Sequence, residues 1–218
     1  MAQKPATELF TVGHSNQDAD RFVSLLHQHG ITALADVRSH PYSRYLPHFN
    51  QTALKAVLNR EKIYYVFLGN QLGARPDAPD CYVEGKAVYE KIAATPAFKE
   101  GVQRLVKGTQ RQRIALMCAE QDPLICHRAI LICQHLKTFD IEIKHILKDG
   151  SLESHQHLED RMLIKHGFSD PLSLEGKSQL SLFHQNISRE QREQDIQQAY
   201  KLQGNKVAYV EGAVDGNH

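Results

Sequence analysis

The sequence predicts an α/β fold of three layers, Rossmann-like, with a mostly parallel sheet of about five strands flanked by helices. Three observations point there. Short apolar runs, from Leu9–Val12 to Ile141–Leu147, alternate with segments whose apolar residues recur at helical spacing. Start and stop signals punctuate the alternation, as at Gly30, Asn50 and Thr95-Pro96. One run, Ile114–Cys118, is continuously apolar, which suits a strand covered on both faces.

The elements follow in order. Leu9–Val12 reads as the first strand and ends at Gly13-His14-Ser15. A helix with Phe22, Leu25 and Leu26 on one face stops at Gly30. Ile31–Val37 is the second strand, and a polar loop with Pro41, Ser43, Arg44 and Pro47 follows. Asn50 is placed to cap a helix whose stripe is Ala53, Leu54, Val57 and Leu58. Ile63–Leu68 is the third strand, and its loop holds Gly69, Leu72, Gly73 and Arg75. After a more variable stretch, Thr95-Pro96 opens a helix bearing Phe98, Val102, Leu105 and Val106. Ile114–Cys118 is the fourth strand; the loop Glu120–Ile125 leads to a helix bearing Ile130, Cys133 and Leu136. Ile141–Leu147 is the fifth, Asp149-Gly150 a turn, and a short helix over Leu158–Lys165 closes the domain at Gly167. Ser188–Gln203 is polar and reads as a solvated helix.

The chain has 218 residues, 41% hydrophobic and 23% charged, which suits an α/β domain over residues 1–167 and a linker or tail over 168–218. A net charge of +1 excludes a broad basic surface, so any nucleic-acid contact must come from a local cluster. No apolar run is long enough to span a membrane and no signal-peptide pattern opens the chain, so a soluble, cytoplasmic protein without a membrane partner is expected. Four cysteines are too few for a disulfide scaffold; buried, catalytic or metal-bound thiols are the alternatives. No cofactor motif is present.

Parallel sheets bind ligands at the carboxyl ends of their strands. Polar residues gather there: His14 and Ser15; Asp36 and Arg38; Gly73 and Arg75; and Cys118, Glu120, Cys126, His127 and Arg128. The same residues carry a resemblance to a known family. Gly13-His14-Ser15, Asp36-Val37-Arg38 with Pro41, Ser43 and Arg44, Leu72-Gly73, and Met117-Cys118-Ala119-Glu120 with Cys126-His127-Arg128 resemble domain of unknown function 488. His145 and Gly150 continue the resemblance, which runs from Leu9 to Gly150. It implies a fold and no reaction, so the chemistry is read from the residues.

Arg38, Arg44, Arg75 and Arg128 are guanidinium groups suited to phosphate or carboxylate, with Ser15, Ser43 and the helix start at Cys126 and His127 as further anion donors. The competing reading is that each arginine pairs with a carboxylate such as Asp36 or Glu120. Glu120 and Asp36 are the candidate acid-base or nucleophilic carboxylates, for glycosidic or, with a divalent metal, phosphodiester chemistry. Cys118, Cys126 and His127 allow a thiolate nucleophile or a metal site, against a reading in which Cys118 is a buried strand residue and Cys126 packs the loop. His14 is a candidate for proton transfer or phosphate contact. Tyr42, Tyr45 and Phe49 interleave with Arg44, a pattern that can stack and clamp bases. Cys133 reads as core, and His27, His29, His155 and His157 as incidental helix-surface residues.

Beyond the domain, Gln179-Leu180-Ser181-Leu182-Phe183 resembles the pentapeptide by which bacterial replication and repair proteins bind the DNA sliding clamp. Leu182 and Phe183 can fill an apolar pocket while the Gln179 amide fixes orientation. The competing reading is an edge strand with Leu180 and Leu182 turned inward. The expectation is a DNA- or nucleotide-processing enzyme brought to its place of work by the clamp. The alternatives are a non-catalytic repair adaptor and a thiol- or metal-dependent enzyme unrelated to DNA.

Overall fold

The computed structural model describes residues 7–168 and 189–212. Within them the chain forms a six-stranded sheet and a separate two-stranded hairpin. The large sheet comprises β1 (Thr7–Gly13), β2 (Ala33–Asp36), β3 (Tyr64–Phe67), β6 (Ile114–Cys118), β7 (Ile141–Ile146) and β8 (Leu152–Ser154). Its order is β3-β2-β6-β1-β7-β8, with every pairing parallel except β7 with β8. The expected mostly parallel sheet is present, with one further strand. After Gly150, at φ 92°, the chain turns back to add β8 antiparallel at the edge. The hairpin, β4 (Tyr82–Val83) with β5 (Lys86–Ala87), fills the stretch that had no clear sequence pattern. Its turn residues Glu84 and Gly85 both have positive φ, as a tight hairpin turn demands.

The strand period of two builds the three layers. Leu9, Ala33, Ala35, Leu116 and Cys118 face one apolar cluster; Phe10, Val12, Leu34, Ala115 and Met117 face the other. The second face is covered by α1 (Ala19–Gln28), through Phe22, Leu25 and Leu26, and by α2 (Gln51–Arg60), through Leu54 and Leu58. The first is covered by the short helices α3 (Gly69–Leu72) and α4 (Tyr89–Ala94), by α5 (Pro96–Thr109), by a π-helical turn over Arg128–Cys133 that continues as α6 (Gln134–Leu136), and by α7 (His155–Lys165), together with α8 (Arg189–Val207). Burying each Leu or Phe contributes about 1.5–3 kcal/mol, so both helical layers are fastened by side chains rather than by helix propensity.

Two local expectations change. Thr95 caps α5 as its sequence promises, accepting from the Phe98 amide at 3.1 Å, but Asn50 does not cap α2. Its side-chain oxygen instead accepts from the Ser43 amide at 2.6 Å and shapes the loop after β2. From Arg189 onward the polar stretch does form a helix, yet one with a buried side rather than a solvated one. Ile196, Ala199, Tyr200, Gln203 and Gly204 make a buried stripe against the first cluster. No helix among the described residues is long and apolar enough to cross a membrane.

Candidate functional site

The three central strands β2, β6 and β1 end side by side, and their pairing runs past the last ladder residues. The His14 amide donates to the Cys118 carbonyl at 3.0 Å, Ser15 to Ala119 at 2.8 Å, and Val37 to Met117 at 3.0 Å. This splice demands Gly13, because a Cβ there would lie 2.0 Å from the Glu120 carbonyl oxygen. Ser15 sits at φ 46°, a conformation that side-chain-bearing residues seldom adopt and that active-site loops often hold. Under the splice, Asp122 accepts from the Leu124 amide at 2.9 Å and opens a short 3-10 turn, Pro123–Ile125. The turn delivers Cys126 and His127 back beneath Cys118.

The result is a cluster of four chemical groups. The donor atoms of Cys118, Glu120, Cys126 and His127 all lie within 4.8 Å of one another. The Cys126 thiol donates to Glu120 Oε2 at 3.0 Å, and the Cys118 sulfur lies 3.5 Å from His127 Nδ1. The other imidazole nitrogen donates to the Val37 carbonyl at 3.0 Å, which turns Nδ1 toward the sulfurs. Both thiols and the imidazole are buried, while Glu120 is half-buried.

Burial would push the Glu120 carboxyl up, but the His127 ring and the thiol hydrogen bonds hold it down at about 2. The two thiols diverge. Burial and hydrogen bonding with Cys126 push Cys118 up, whereas at Cys126 burial is outweighed by the Cys118 hydrogen bond and by the Arg128 charge, which bring it down. His127 is raised: burial opposes its charge, and Cys126 and Glu120 overcome that opposition.

The arginines divide into two kinds. Arg128 is fully buried and braces the loop, with Nη1 donating to the Glu120 carbonyl at 2.6 Å, Nη2 to Gln121 at 2.9 Å and Nε to Thr11 Oγ1 at 3.3 Å. Arg38 is also buried. Its fork grips Asp36 at 2.9 and 2.6 Å, reaches the Phe49 carbonyl at 2.8 Å, and donates from Nη1 to His14 Nε2 at 3.3 Å. Asp36 also accepts from Tyr65 at 2.7 Å, so both of its oxygens are engaged and it fixes the geometry of the β2 loop. Arg75 lies 4.2 Å from the Tyr209 ring centre, its amide held by Ser39. Arg44, by contrast, is exposed, between Tyr42 and Tyr45, which are 74% and 76% exposed. Phe49, expected in their company, is buried and stacks on His14 with ring centres 4.2 Å apart. Ser43 holds that loop together, its hydroxyl accepting from the Leu46 amide at 3.1 Å.

His14 is locked. Nδ1 donates to the Ser15 carbonyl at 2.8 Å and Nε2 accepts from Arg38, while burial and the Arg38 charge bring the imidazole down to about 4.

Behind the cluster runs a buried polar file that the sequence reading missed. Thr11 Oγ1 meets His145 Nδ1 at 2.8 Å, His145 Nε2 meets His155 Nδ1 at 3.0 Å, and His155 Nε2 meets the Tyr200 hydroxyl at 2.9 Å. Tyr200 donates to Glu159 at 2.9 Å, and Lys137 pairs with the same carboxylate at 2.8 Å. With both histidines neutral, as burial dictates, every donor in the file points one way, from Arg128 to Glu159. His155 is therefore no incidental surface residue. The signal for it was Thr11 and His145 standing at inward positions of apolar strands, and His155 with Glu159 at i, i+4. His27 and His157 are exposed, as expected, and Cys133 is core.

The peptide Gln179–Phe183 lies outside the described residues. No curated protein and no solved structure matches the chain. The family profile of the domain of unknown function DUF488 matches residues 18–134, more than half of the chain and most of the loops just described. The chain belongs to the DUF488 family.

Proposed function

We propose that this protein is an enzyme whose reactive centre is the group Cys118, Glu120, Cys126 and His127, acting on a nucleotide or nucleic acid. The observation that carries the reading is the convergence of two thiols, a carboxylate and an imidazole at the carboxyl edge of a parallel sheet. Cys126 is the thiol acidified by its surroundings, and Glu120 is the ionised carboxylate facing it. Such a pair suits nucleophilic attack or proton transfer.

The substrate class rests on the same edge. Tyr42, Arg44 and Tyr45 present two solvent-facing rings and a guanidinium on the loop after β2, a surface suited to base stacking and a phosphate. Recruitment by the sliding clamp through Gln179–Phe183 is part of the proposal and rests on the sequence match. Asp36, Arg38, Arg128 and His14 then act as positioning residues, since their polar groups are engaged with one another and with the loops. The adaptor alternative uses the same surface without turnover.

The test is paired. Glu120→Gln is expected to lower turnover of the oligonucleotide or nucleotide by about 10²–10⁴-fold while leaving its binding intact. Tyr42→Ala with Tyr45→Ala is expected to weaken binding of a single-stranded oligonucleotide by about 1–3 kcal/mol per lost stack. Unchanged oligonucleotide binding in the double variant removes the nucleic-acid reading; binding without turnover in the unmodified protein leaves the adaptor.

A further inference from the structure

The geometry points to a zinc site in the same cluster: we propose that Cys118, Cys126 and His127 hold one Zn²⁺ and that Glu120 completes its shell. This goes beyond the catalytic reading and does not need it. Sulfur, nitrogen and carboxylate oxygen are the donors zinc takes, in a four-coordinate tetrahedral arrangement. Zn–S bonds of about 2.3 Å and Zn–N or Zn–O bonds of about 2.0–2.2 Å place tetrahedral donors about 3.3–3.8 Å apart. The separations straddle that window: 3.0 Å from Cys126 Sγ to Glu120 Oε2, 3.5 Å from Cys118 Sγ to His127 Nδ1, and 4.0 Å from Cys126 Sγ to His127 Nδ1. With all four donor atoms inside 4.8 Å, side-chain adjustments of less than about 1 Å complete the polyhedron.

The surroundings are those of a ligand set. The His127 Nε2–H donates to the Val37 carbonyl, fixing the tautomer that presents an Nδ1 lone pair to the sulfurs. The Arg128 amide points at Cys126 Sγ from 3.5 Å. Arg128 itself clamps the carbonyls of Glu120 and Gln121, so the loop carrying the carboxylate ligand is held from below.

Charge supports the same assignment. Two thiolates, one carboxylate and Zn²⁺ sum to a single negative charge. Arg128 is fully buried, its guanidinium donates to the neutral oxygens of Thr11, Glu120 and Gln121 and its amide to Cys126 Sγ, and it is the cation that balances the cluster. On binding, the two thiol protons leave to solvent and two Zn–S bonds form; no oxidation occurs. Glu120 is the least buried of the four, which makes it the position a water can take.

The full chain, purified under reducing conditions, stripped with a chelator and titrated with Zn²⁺ or Co²⁺ alone, is expected to bind one metal ion. The cobalt form is expected to show the thiolate-to-metal charge-transfer absorption of two sulfurs, and Zn²⁺ is expected to protect two thiols from alkylation. Glu120→Gln is expected to keep the metal with an affinity lowered by at least the roughly tenfold that loss of even an outer-shell partner brings. Cys118→Ser and Cys126→Ser are each expected to lose thiolate absorption. Because a serine variant can fail to fold, the thiol protection measured on the unmodified chain is decisive. If Cys118 and Cys126 alkylate at the same rate with and without Zn²⁺, or if cobalt binds without sulfur absorption, the metal site is overturned. The catalytic reading of Glu120 and Cys126 then stands on its own turnover test.

Discussion

His14 shows how one residue can be at a site without being free to work in it. Both ring nitrogens are engaged, one with the Ser15 carbonyl and one with Arg38, and the ring stacks on Phe49. Its pKa falls from 6.5 to about 4 because burial and the Arg38 charge disfavour the imidazolium. The sign of the consequence follows from proton counting. Between pH 6.5 and about 4 the unfolded chain has bound the proton and the folded chain has not, so stability rises with pH and is lost as pH falls through that window. The loss from this one group reaches on the order of 3 kcal/mol. His14→Gln keeps a side chain of similar reach that does not titrate. Urea unfolding measured across this pH range is expected to show a pH slope smaller in the variant by up to about one proton. Parallel slopes would mean that the imidazole titrates normally and is not held neutral.

At the scale of elements, α8 is the piece whose role changes most. Its sequence is polar, yet Tyr200 carries the end of the buried file, bonded to His155 and Glu159. Tyr200→Phe keeps the ring and removes the hydroxyl, leaving a buried imidazole N–H without its acceptor. The expected cost is about 1–3 kcal/mol in urea unfolding. A smaller loss would show that water replaces the hydroxyl and that α8 is held by its buried stripe rather than by the end of the polar file. The same helix marks the limit of what could be read in advance. Strand β6 was legible because five consecutive apolar residues have few other homes. The stripe on α8 was not, because Ala199, Gln203 and Gly204 carry little hydrophobic signal at helical spacing. The three residues of β8 are too short for any period to register. The site divides likewise. That Cys118, Glu120, Cys126 and His127 follow one strand was visible in the sequence. That the Pro123–Ile125 turn folds the last two under the first was not, because it depends on the close contact of Gly13 with Glu120. A guanidinium's formal charge carries no sign of whether it faces solvent, so Arg44 and Arg128 read alike until their partners were placed.

For the whole molecule, the question is how a chain of net charge +1 would find nucleic acid. Its buried arginines lend no field to the surface, and the exposed Arg44 is one charge beside two rings. Electrostatic attraction of that size is weak and fades with salt. A clamp-binding peptide would supply what the surface lacks. A short linker between a docked peptide and its domain sets an effective concentration in the millimolar range, enough to make a weak site useful. The two contributions have different physics and can be separated. Docking through Leu182 and Phe183 would be apolar and is expected to persist as salt rises, whereas oligonucleotide binding through Arg44 is expected to weaken. Leu182→Ala with Phe183→Ala is therefore expected to abolish co-elution with purified sliding clamp at low and high salt alike. The unfolding midpoint is expected to stay unchanged, since the sequence places both residues beyond the α/β domain. Oligonucleotide binding by the isolated protein should also be unaltered. Co-elution that survives the double substitution, or that disappears with salt in the unmodified chain, would show that the five-residue match does not bind the clamp and that any DNA association must come from the Tyr42–Tyr45 surface alone.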